Sequence, residues 1–520
     1  MEERKSLEEK LSFAQGAFIL TIANLISRLL GFIFRIVLSN KIGPEGMGIF
    51  QLVMPVYMTA LSVTTGSISV TVSRLVAQSL SRGDRRYTYR IVSLSLMLIT
   101  SISAIISGIL IFFSDYISSS ILNEERTMLP IIIFSPVLFI ISSSAVIRGY
   151  FEGIQNIKPS AIANIIEEVV RIISVLFLID AVMPMGIEYA VSAAIFSSVL
   201  GEVCVFLFMA YKYKERQHKY KASTSGPHIN NHKLMLNIVG TTIPLSLNRF
   251  VNTFLQSIEA VIIPQRLMAN LSKEESLSIF GELTGMALPI VMLPSIVVNA
   301  LSVTLVPAVA EAHEKNDMAT LEHRVKESVE YTLIISFITS TTLLSLPNEI
   351  AITLYHNTEV GIFLRMFSLV VPLIYTSQIM NSALNGMGKH TIAFINNLFA
   401  SFMRTLCTYI LVANSKFMIN GYFIGYYLGF LLLFILDYIC IRRFIGIFPG
   451  VVFFAKTFIA SIVFYLCLKI FYCLNPIPNS LISLVITLLL SLIIYLLIMV
   501  HTGVLRTGNL IGNLPFLRRV

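Results

Sequence analysis

Apolar residues fill the chain in blocks of about twenty or more, broken by short polar stretches from one end to the other. A helix rises about 1.5 Å per residue, so about twenty apolar residues cross the hydrocarbon of a bilayer. The blocks predict an all-α polytopic membrane protein with fourteen spans, near 13–38, 46–78, 91–113, 128–150, 160–180, 187–211, 234–264, 279–310, 328–347, 362–385, 391–413, 419–440, 453–474 and 479–501. Pro55, Pro289, Pro294 and Pro307 fall inside the second and eighth and predict bends there.

The polar residues inside these blocks matter more than the apolar ones. In the first, Asn24, Arg28, Gly31 and Arg35 follow at spacings of four, three and four. They share one helix face over about 16 Å. A guanidinium at mid-bilayer costs about 2.5–3.5 kcal/mol even on the lenient insertion scale, so this face is expected to look at water rather than lipid. Arg28 is too deep to snorkel easily, whereas Arg35 can reach the far surface. Two readings are open: arginines tied to backbone carbonyls that lock helix packing, or arginines lining a cavity for an anion.

The chain also repeats itself. At an offset of 233, Gly48–Asp84 lies over Gly281–Asp317, with Ser69-Val70-Thr71 on Ser302-Val303-Thr304; the same register sets Gly153 on Gly386, Asn164 on Asn397 and Arg171 on Arg404. The opening helix repeats at offset 221, which puts Thr21-Ile22 on Thr242-Ile243 and Arg28 on Arg249. Six helices per copy, each copy starting on the same side, make parallel repeats about an axis along the membrane normal. The expected division is an N-lobe at 1–211, a cytoplasmic linker at 212–233, a C-lobe at 234–440, and helices thirteen and fourteen with a basic tail at 441–520.

In the seventh helix Arg249, Asn252, Gln256 and Glu259 form a second polar stripe, on the positions of Arg28, Gly31, Arg35 and Leu38 of the first. Both lobes are therefore expected to turn a polar stripe inward, with a net positive balance that suits an anionic headgroup. Arg28, Arg249, Arg35, Asn24, Asn252 and Gln256 are the candidate substrate contacts, and Glu259, a carboxyl at depth, is the candidate for ion or proton coupling. Secondary candidates are Arg74, which is read either as snorkelling or as a substrate contact, then Glu167 and Arg171, and Arg404 in the second copy. Arg148, Glu152, Asn156 and Lys158 read as a solvated turn, and Glu168 with Arg171 as a structural pair as readily as a functional one. Glu202 and Asp437 sit in apolar surroundings and read as packing partners within each lobe.

Composition fits this picture: 55% of the 520 residues are hydrophobic and only 13% charged. The net charge of +9 lies largely in even-numbered loops, with Arg82, Arg85, Arg86 and Arg90 after helix two and Lys212, Lys214, Arg216, Lys219, Lys221 and Lys233 after helix six. By the positive-inside rule both termini are cytoplasmic, and that charge calls for no nucleic acid. The run after the charged head is too long for a removable signal peptide and lacks a small-residue cleavage site. Five cysteines without a CxxC pair read as small buried hydrophobes. There is no GxxxxGK[ST], HExxH or GxSxG string, hence no catalytic residue, metal site or cofactor is expected, and the protein is not read as an enzyme.

The string Ser27-Arg28-Leu29-Leu30-Gly31-Phe32, then Arg35, then Gly43-Pro44-Glu45-Gly46-Met47-Gly48, resembles the polysaccharide-exporter branch of the multidrug/oligosaccharidyl-lipid/polysaccharide exporter superfamily, and within it the members from endospore-forming bacteria. Arg148-Gly149-Tyr150-Phe151-Glu152-Gly153 and Gly285-Met286-Ala287-Leu288-Pro289 support the same branch. The resemblance implies a flippase that moves an undecaprenyl-pyrophosphate-linked sugar precursor, lipid II for spore cortex peptidoglycan, to the outer leaflet of the bacterial cytoplasmic membrane or the membrane around the forespore. It implies Arg28 as the cavity arginine of the related lipid II flippases. Their helix-eight arginine has no counterpart in 281–294, so the cargo is lipid II or another lipid-linked glycan. Membrane lipids and a cortex peptidoglycan synthase are the implied partners, and helices thirteen and fourteen either groove the lipid tail or simply face lipid. The rival readings are a cation-coupled multidrug antiporter, which needs an acidic inner face on helix one, and a non-transporting membrane scaffold of a wall-synthesis complex.

Overall fold

The computed structural model describes residues 13–82, 85–219, 231–445, 450–474 and 480–504, and among them every element is a helix. The charged head, residues 220–230 of the expected linker and the basic tail with Arg518 and Arg519 lie outside the described residues. All-helical structure is the physical expectation for a chain this apolar, because a helix satisfies its own backbone hydrogen bonds where lipid offers none. The helices group into two compact units, Met1–Gly281 and Glu282–Val520.

The first unit contains α1 (Phe13–Thr64), α2 (Ile68–Ser81), α3 (Arg85–Phe112), α4 (Met128–Phe134), α5 (Val137–Gly153), α6 (Lys158–Val182), α7 (Ile187–Lys219), α8 (Asn231–Leu267) and α9 (Lys273–Phe280). By descent the repeat assigns α8 and α9 to the second copy, yet they pack within the first unit, against α1. The apolar core of this unit joins Val72 and Val76 of α2 to Ile91 of α3, Val146 and Tyr150 of α5, Val205 of α7 and Ile238 of α8. Helix α5 closes on α2 through Gly149 and Gly153, four residues apart; a Cβ on either would stand 2.5 and 2.7 Å from the Ser69 and Ser73 carbonyl oxygens. Small residues at that spacing let helix backbones approach in lipid, where no hydrophobic force drives them together.

The second unit contains α10 (Leu288–Met292), α11 (Ser295–Glu314), α12 (Met318–Ser345), α13 (Pro347–Tyr355), α14 (Glu359–Ser368), α15 (Val371–Gly386), α16 (His390–Leu411), α17 (Ile419–Ile445), α18 (Val451–Leu474) and α19 (Leu481–His501). Its core runs from Leu305 and Val309 of α11 through Val325 and Val329 of α12 to Ile379 and Ala383 of α15 and Ile441 of α17. Helices α18 and α19 pair with each other, and α18 also packs on α12.

Eight helices among the described residues are long and apolar enough to cross a membrane, or eleven if each of three bent pairs is one span. One of the eight, Ile22–Ser81, is 60 residues long and covers the first two expected spans. The fifth and eleventh expected spans are present as the helices α6 and α16, which are not among the eight; α6 carries Glu167, Glu168, Arg171 and Asp180. Breaks match expectation at Pro294, where the chain leaves helix between α10 and α11, and differ elsewhere. Helix α1 continues through Pro55 and α11 through Pro307, while the chain is interrupted at Gly43 (φ 69°, ψ −177°) and again at 65–67, between α1 and α2. Pro289 lies in the first turn of α10 and Pro294 just before α11, positions where a missing N–H costs nothing.

Candidate functional site

Helix α1 presents Asn24, Arg28 and Arg35 as exposed side chains, with Gly31 half-buried between them. The stripe read from spacing is therefore one face, but its members meet different neighbours. Asn24 accepts a hydrogen bond at Oδ1 from Asn164 Nδ2 of α6, 3.3 Å away. The missing side chain of Gly31 makes room for the Glu168 carboxylate, whose Oε1 would lie 3.4 Å from a Cβ there. The Arg35 charge acts on that same carboxylate. Arg28 has no hydrogen-bond or ion-pair partner among the described residues.

Beneath this stripe lies a charge network that sequence spacing gave only in pieces. Arg171 binds Glu167 at 2.6 Å and Glu168 at 3.2 Å, one turn back on its own helix, and sits over the Phe34 ring of α1 at 5.4 Å. Arg148 of α5 lies 3.7 Å from Glu167 and donates through Nη1 to Asn164 Oδ1. Glu202 of α7 is within Coulombic reach of Glu167, Arg148 and Arg171. Arg35, Arg148 and Arg171 thus stand near Glu167, Glu168 and Glu202, three basic and three acidic side chains gathered by α1, α5, α6 and α7. Ion pairs of this kind hold helices in register. Arg148, read from sequence as part of a solvated turn, belongs to this network instead.

Helix α8 lies along α1 and α2 within the same unit. Arg249 is exposed and its Nη1 donates to the Gly66 carbonyl at 2.6 Å, at the interruption where α1 ends. Gly66 has φ +33°, and a Cβ there would stand 2.2 Å from Ser246 Oγ, so the approach needs glycine. The Ser67 N–H donates to that same Ser246 hydroxyl at 3.1 Å. Further along, Thr242 meets Thr71 at 3.0 Å, and Ser257 meets Thr59 at 2.9 Å and the Pro55 carbonyl at 3.1 Å. Thr242, Ser246, Arg249 and Ser257 went unnoticed as a set in the sequence; their four, three and eight spacing marks one helix face, and that was the available signal. Of the other α8 candidates, Gln256 is exposed, Asn252 is half-buried, and Glu259 is 7% exposed.

Arg74 of α2 is exposed and, like Arg28, has no polar partner among the described residues. Arg28, Arg74 and Arg249 are therefore three cations of the first unit with no acidic partner among the described residues, outside the network of Arg148 and Arg171.

In the second unit Arg404 is held differently from its repeat counterpart Arg171. Its guanidinium lies over the rings of Tyr426 and Phe430, 5.5 and 5.2 Å from their centroids. The positions of Glu167 and Glu168 are here Ala400 and Ser401, so aromatic faces replace carboxylates. Asp437, fully buried, accepts from Asn396 Nδ2 at 2.8 Å, consistent with a packing role inside the unit. No group of three or more His, Cys, Asp or Glu among the described residues is placed to hold a metal ion.

Comparison with known proteins extends these observations. A family model described as "Polysaccharide biosynthesis protein" matches residues 13–313. The chain is similar to "Stage V sporulation protein B" of Bacillus subtilis (strain 168), 29% identical over 419 residues that cover 79% of this chain and 80% of that one. It is also similar to "Lipid II flippase MurJ" of the same organism, 26% identical over 424 residues and 74% of each chain. Among solved structures, the inward-facing conformation of a multidrug resistance MATE family transporter of the MOP superfamily superposes with a TM-score of 0.67 over 83% of this chain and 98% of that one. At 17% identity that last likeness is one of fold alone.

Proposed function

We propose that the chain, which belongs to the polysaccharide biosynthesis protein family, carries lipid II or a similar undecaprenyl-pyrophosphate-linked glycan from the inner to the outer leaflet, for spore cortex synthesis. At the coarser level it is a multi-pass membrane transporter of the MOP superfamily, a flippase for lipid-linked polysaccharide precursors and not an enzyme. The finer reading rests on one observation above the others. Arg28 and Arg249, equivalent positions of the repeat, are exposed in apolar helices and have no acid among the described residues to neutralise them.

An unneutralised guanidinium at membrane depth needs water or an anion, and two of them suit a pyrophosphate. They hold it through charge-assisted hydrogen bonds, with Arg35, Asn24, Asn252 and Gln256 as further polar contacts, while the polyprenyl tail stays in lipid. Alternating access carries the headgroup across, with Glu259 as the coupling residue; a cortex peptidoglycan synthase receives the product. Both termini face the cytoplasm of a spore-forming cell. A cationic drug fits this face poorly, since like charges repel it.

The test is transfer of a fluorescent undecaprenyl-pyrophosphate glycan between leaflets of reconstituted vesicles. Arg28→Ala abolishes transfer and leaves thermal unfolding unchanged. Transfer at the parental rate overturns the assignment, and running the assay with lipid II beside other lipid-linked glycans identifies the cargo.

A further inference from the structure

The contacts between α8 and the second span form a zipper that includes one of the two proposed headgroup ligands. Residues 242, 246, 249 and 257 of α8 meet Thr71, Ser67, Gly66 and Thr59 in descending order, so the two helices run antiparallel. The zipper covers fifteen residue steps of α8, about 22 Å at about 1.5 Å per residue. At its centre the span is broken, and a broken helix leaves carbonyl and N–H groups without intrahelical partners. Helix α8 satisfies one of each: Arg249 donates to the Gly66 carbonyl, and Ser246 accepts from the Ser67 N–H.

Neither half of this arrangement is repeated. Gly66 corresponds at offset 233 to Asn299, where α11 runs unbroken from Ser295 to Glu314 and Asn299 accepts from Gln378 at 2.7 Å. Arg249 corresponds to Arg28, which has no partner among the described residues. One copy of the repeat thus keeps its arginine free, and the other parks it on a carbonyl at a helix break.

We propose that Arg249 and the Gly66 break form a latch that the substrate itself opens. This rests on the reading that Arg249 binds the pyrophosphate. A neutral carbonyl is a weaker partner for a guanidinium than a phosphate oxygen, so an arriving pyrophosphate draws Arg249 off Gly66. The break then loses its side-chain donor, and the hydroxyl contacts on either side separate. The ligand binds the unlatched state better because only there are the guanidinium donors free, and that difference in affinity is what shifts the equilibrium.

The test uses Thr71→Cys with Thr242→Cys, whose hydroxyls lie 3.0 Å apart, in a chain with its five native cysteines replaced by serine and reconstituted in vesicles. Disulfide formation under mild oxidant is rapid without ligand and slows at least about fivefold with undecaprenyl pyrophosphate. Inorganic pyrophosphate in a parallel arm separates the headgroup's effect from the tail's. The disulfide-locked protein stops transferring lipid and recovers on reduction. Equal cross-linking rates with and without undecaprenyl pyrophosphate, or full transfer by the locked protein, overturn the latch. If the reduced double variant is inactive, Thr59→Cys with Ser257→Cys, at 2.9 Å, repeats the measurement at the other end of the zipper. Loss of transfer in Arg28→Ala beside full transfer in the locked protein sinks the latch alone; full transfer in both sinks the underlying reading as well.

Discussion

Arg28 and Arg171 are both arginines within apolar helices of the same unit, yet among the described residues one has no polar partner and the other is bound by two carboxylates. Removing one partner of an internal ion pair leaves the remaining charge uncompensated, so Arg171→Ala costs about 3–5 kcal/mol of stability. Thermal unfolding in detergent reads this loss, and Arg28→Ala in the same assay shows no comparable one. Spacing along the chain already set Glu167 and Glu168 one turn before Arg171 and no acid within a turn of Arg28; what it did not show is Asn164 against Asn24 and Arg148 against Glu167, because those contacts come from other helices. The same limit hid the cluster beside the α4 entry. There Glu124, almost fully buried, accepts from Arg126 at 2.7 Å and lies 3.4 Å from Lys273, while Arg126 also reaches Glu45 at 2.6 Å. Burial alone would push the Glu124 carboxyl up, but the Arg126 hydrogen bonds and the Arg126 and Lys273 charges prevail and hold it below its ordinary 4.5. A carboxyl depressed by folding stabilises the fold above its ordinary value, and that contribution is lost as pH falls through the lower folded value. The unfolding midpoint of the parent therefore drops below about pH 4.5, and Glu124→Gln flattens that part of the profile while lowering the neutral-pH midpoint.

At the scale of elements, the apolar blocks located the helices because burial in lipid demands length and hydrophobicity, both of which are written locally. Breaks were less legible. Prolines drew attention at Pro55 and Pro307, where the helices continue, whereas an interruption falls at Thr65-Gly66-Ser67 inside an apolar run. What decides that position is the matching hydroxyl and guanidinium on α8, 179 and 183 residues further along the chain. The glycines give a sharper element-level prediction. Gly149→Ala sets a Cβ 2.5 Å from the Ser69 carbonyl oxygen, where the obstacle is backbone and cannot swing aside, so α5 must move off α2. Overpacking of this kind costs about 1–3 kcal/mol. Gly108→Ala in α3 meets nothing within 4 Å and gains helix propensity, stabilising by up to about 1 kcal/mol. Opposite shifts of the two unfolding midpoints check the packing; equal shifts contradict it.

For the molecule as a whole, the repeat shows what has been kept and what has changed between the copies. Arg171 and Arg404 occupy one position of the repeat, but the first is paired with carboxylates and the second lies over aromatic rings. The repeat is read from sequence matches at offsets 233 and 221, whereas the packing of α8 and α9 with the first unit is not, since partnership between helices is not encoded in their order. Every statement about leaflets depends on which way the molecule sits. Basic residues crowd the even-numbered connections, and a lysine or arginine is retained on the cytoplasmic side during insertion, whereas the odd-numbered connections dilute Arg126 and Lys273 with Glu124, Glu125, Glu274 and Glu275. Arg82 and Glu314 lie at even-numbered connections and Glu125 and Lys416 at odd-numbered ones, and all four side chains are exposed. In intact cells a membrane-impermeant thiol reagent therefore labels Glu125→Cys and Lys416→Cys, each made in the cysteine-free background, and reaches Arg82→Cys and Glu314→Cys only after the membrane is opened. The reverse pattern would turn the chain over and make the proposed movement of precursor run from the wrong leaflet; labelling of one outer site without the other would break the parallel relation between the two copies, on which the equivalence of Arg28 and Arg249 depends.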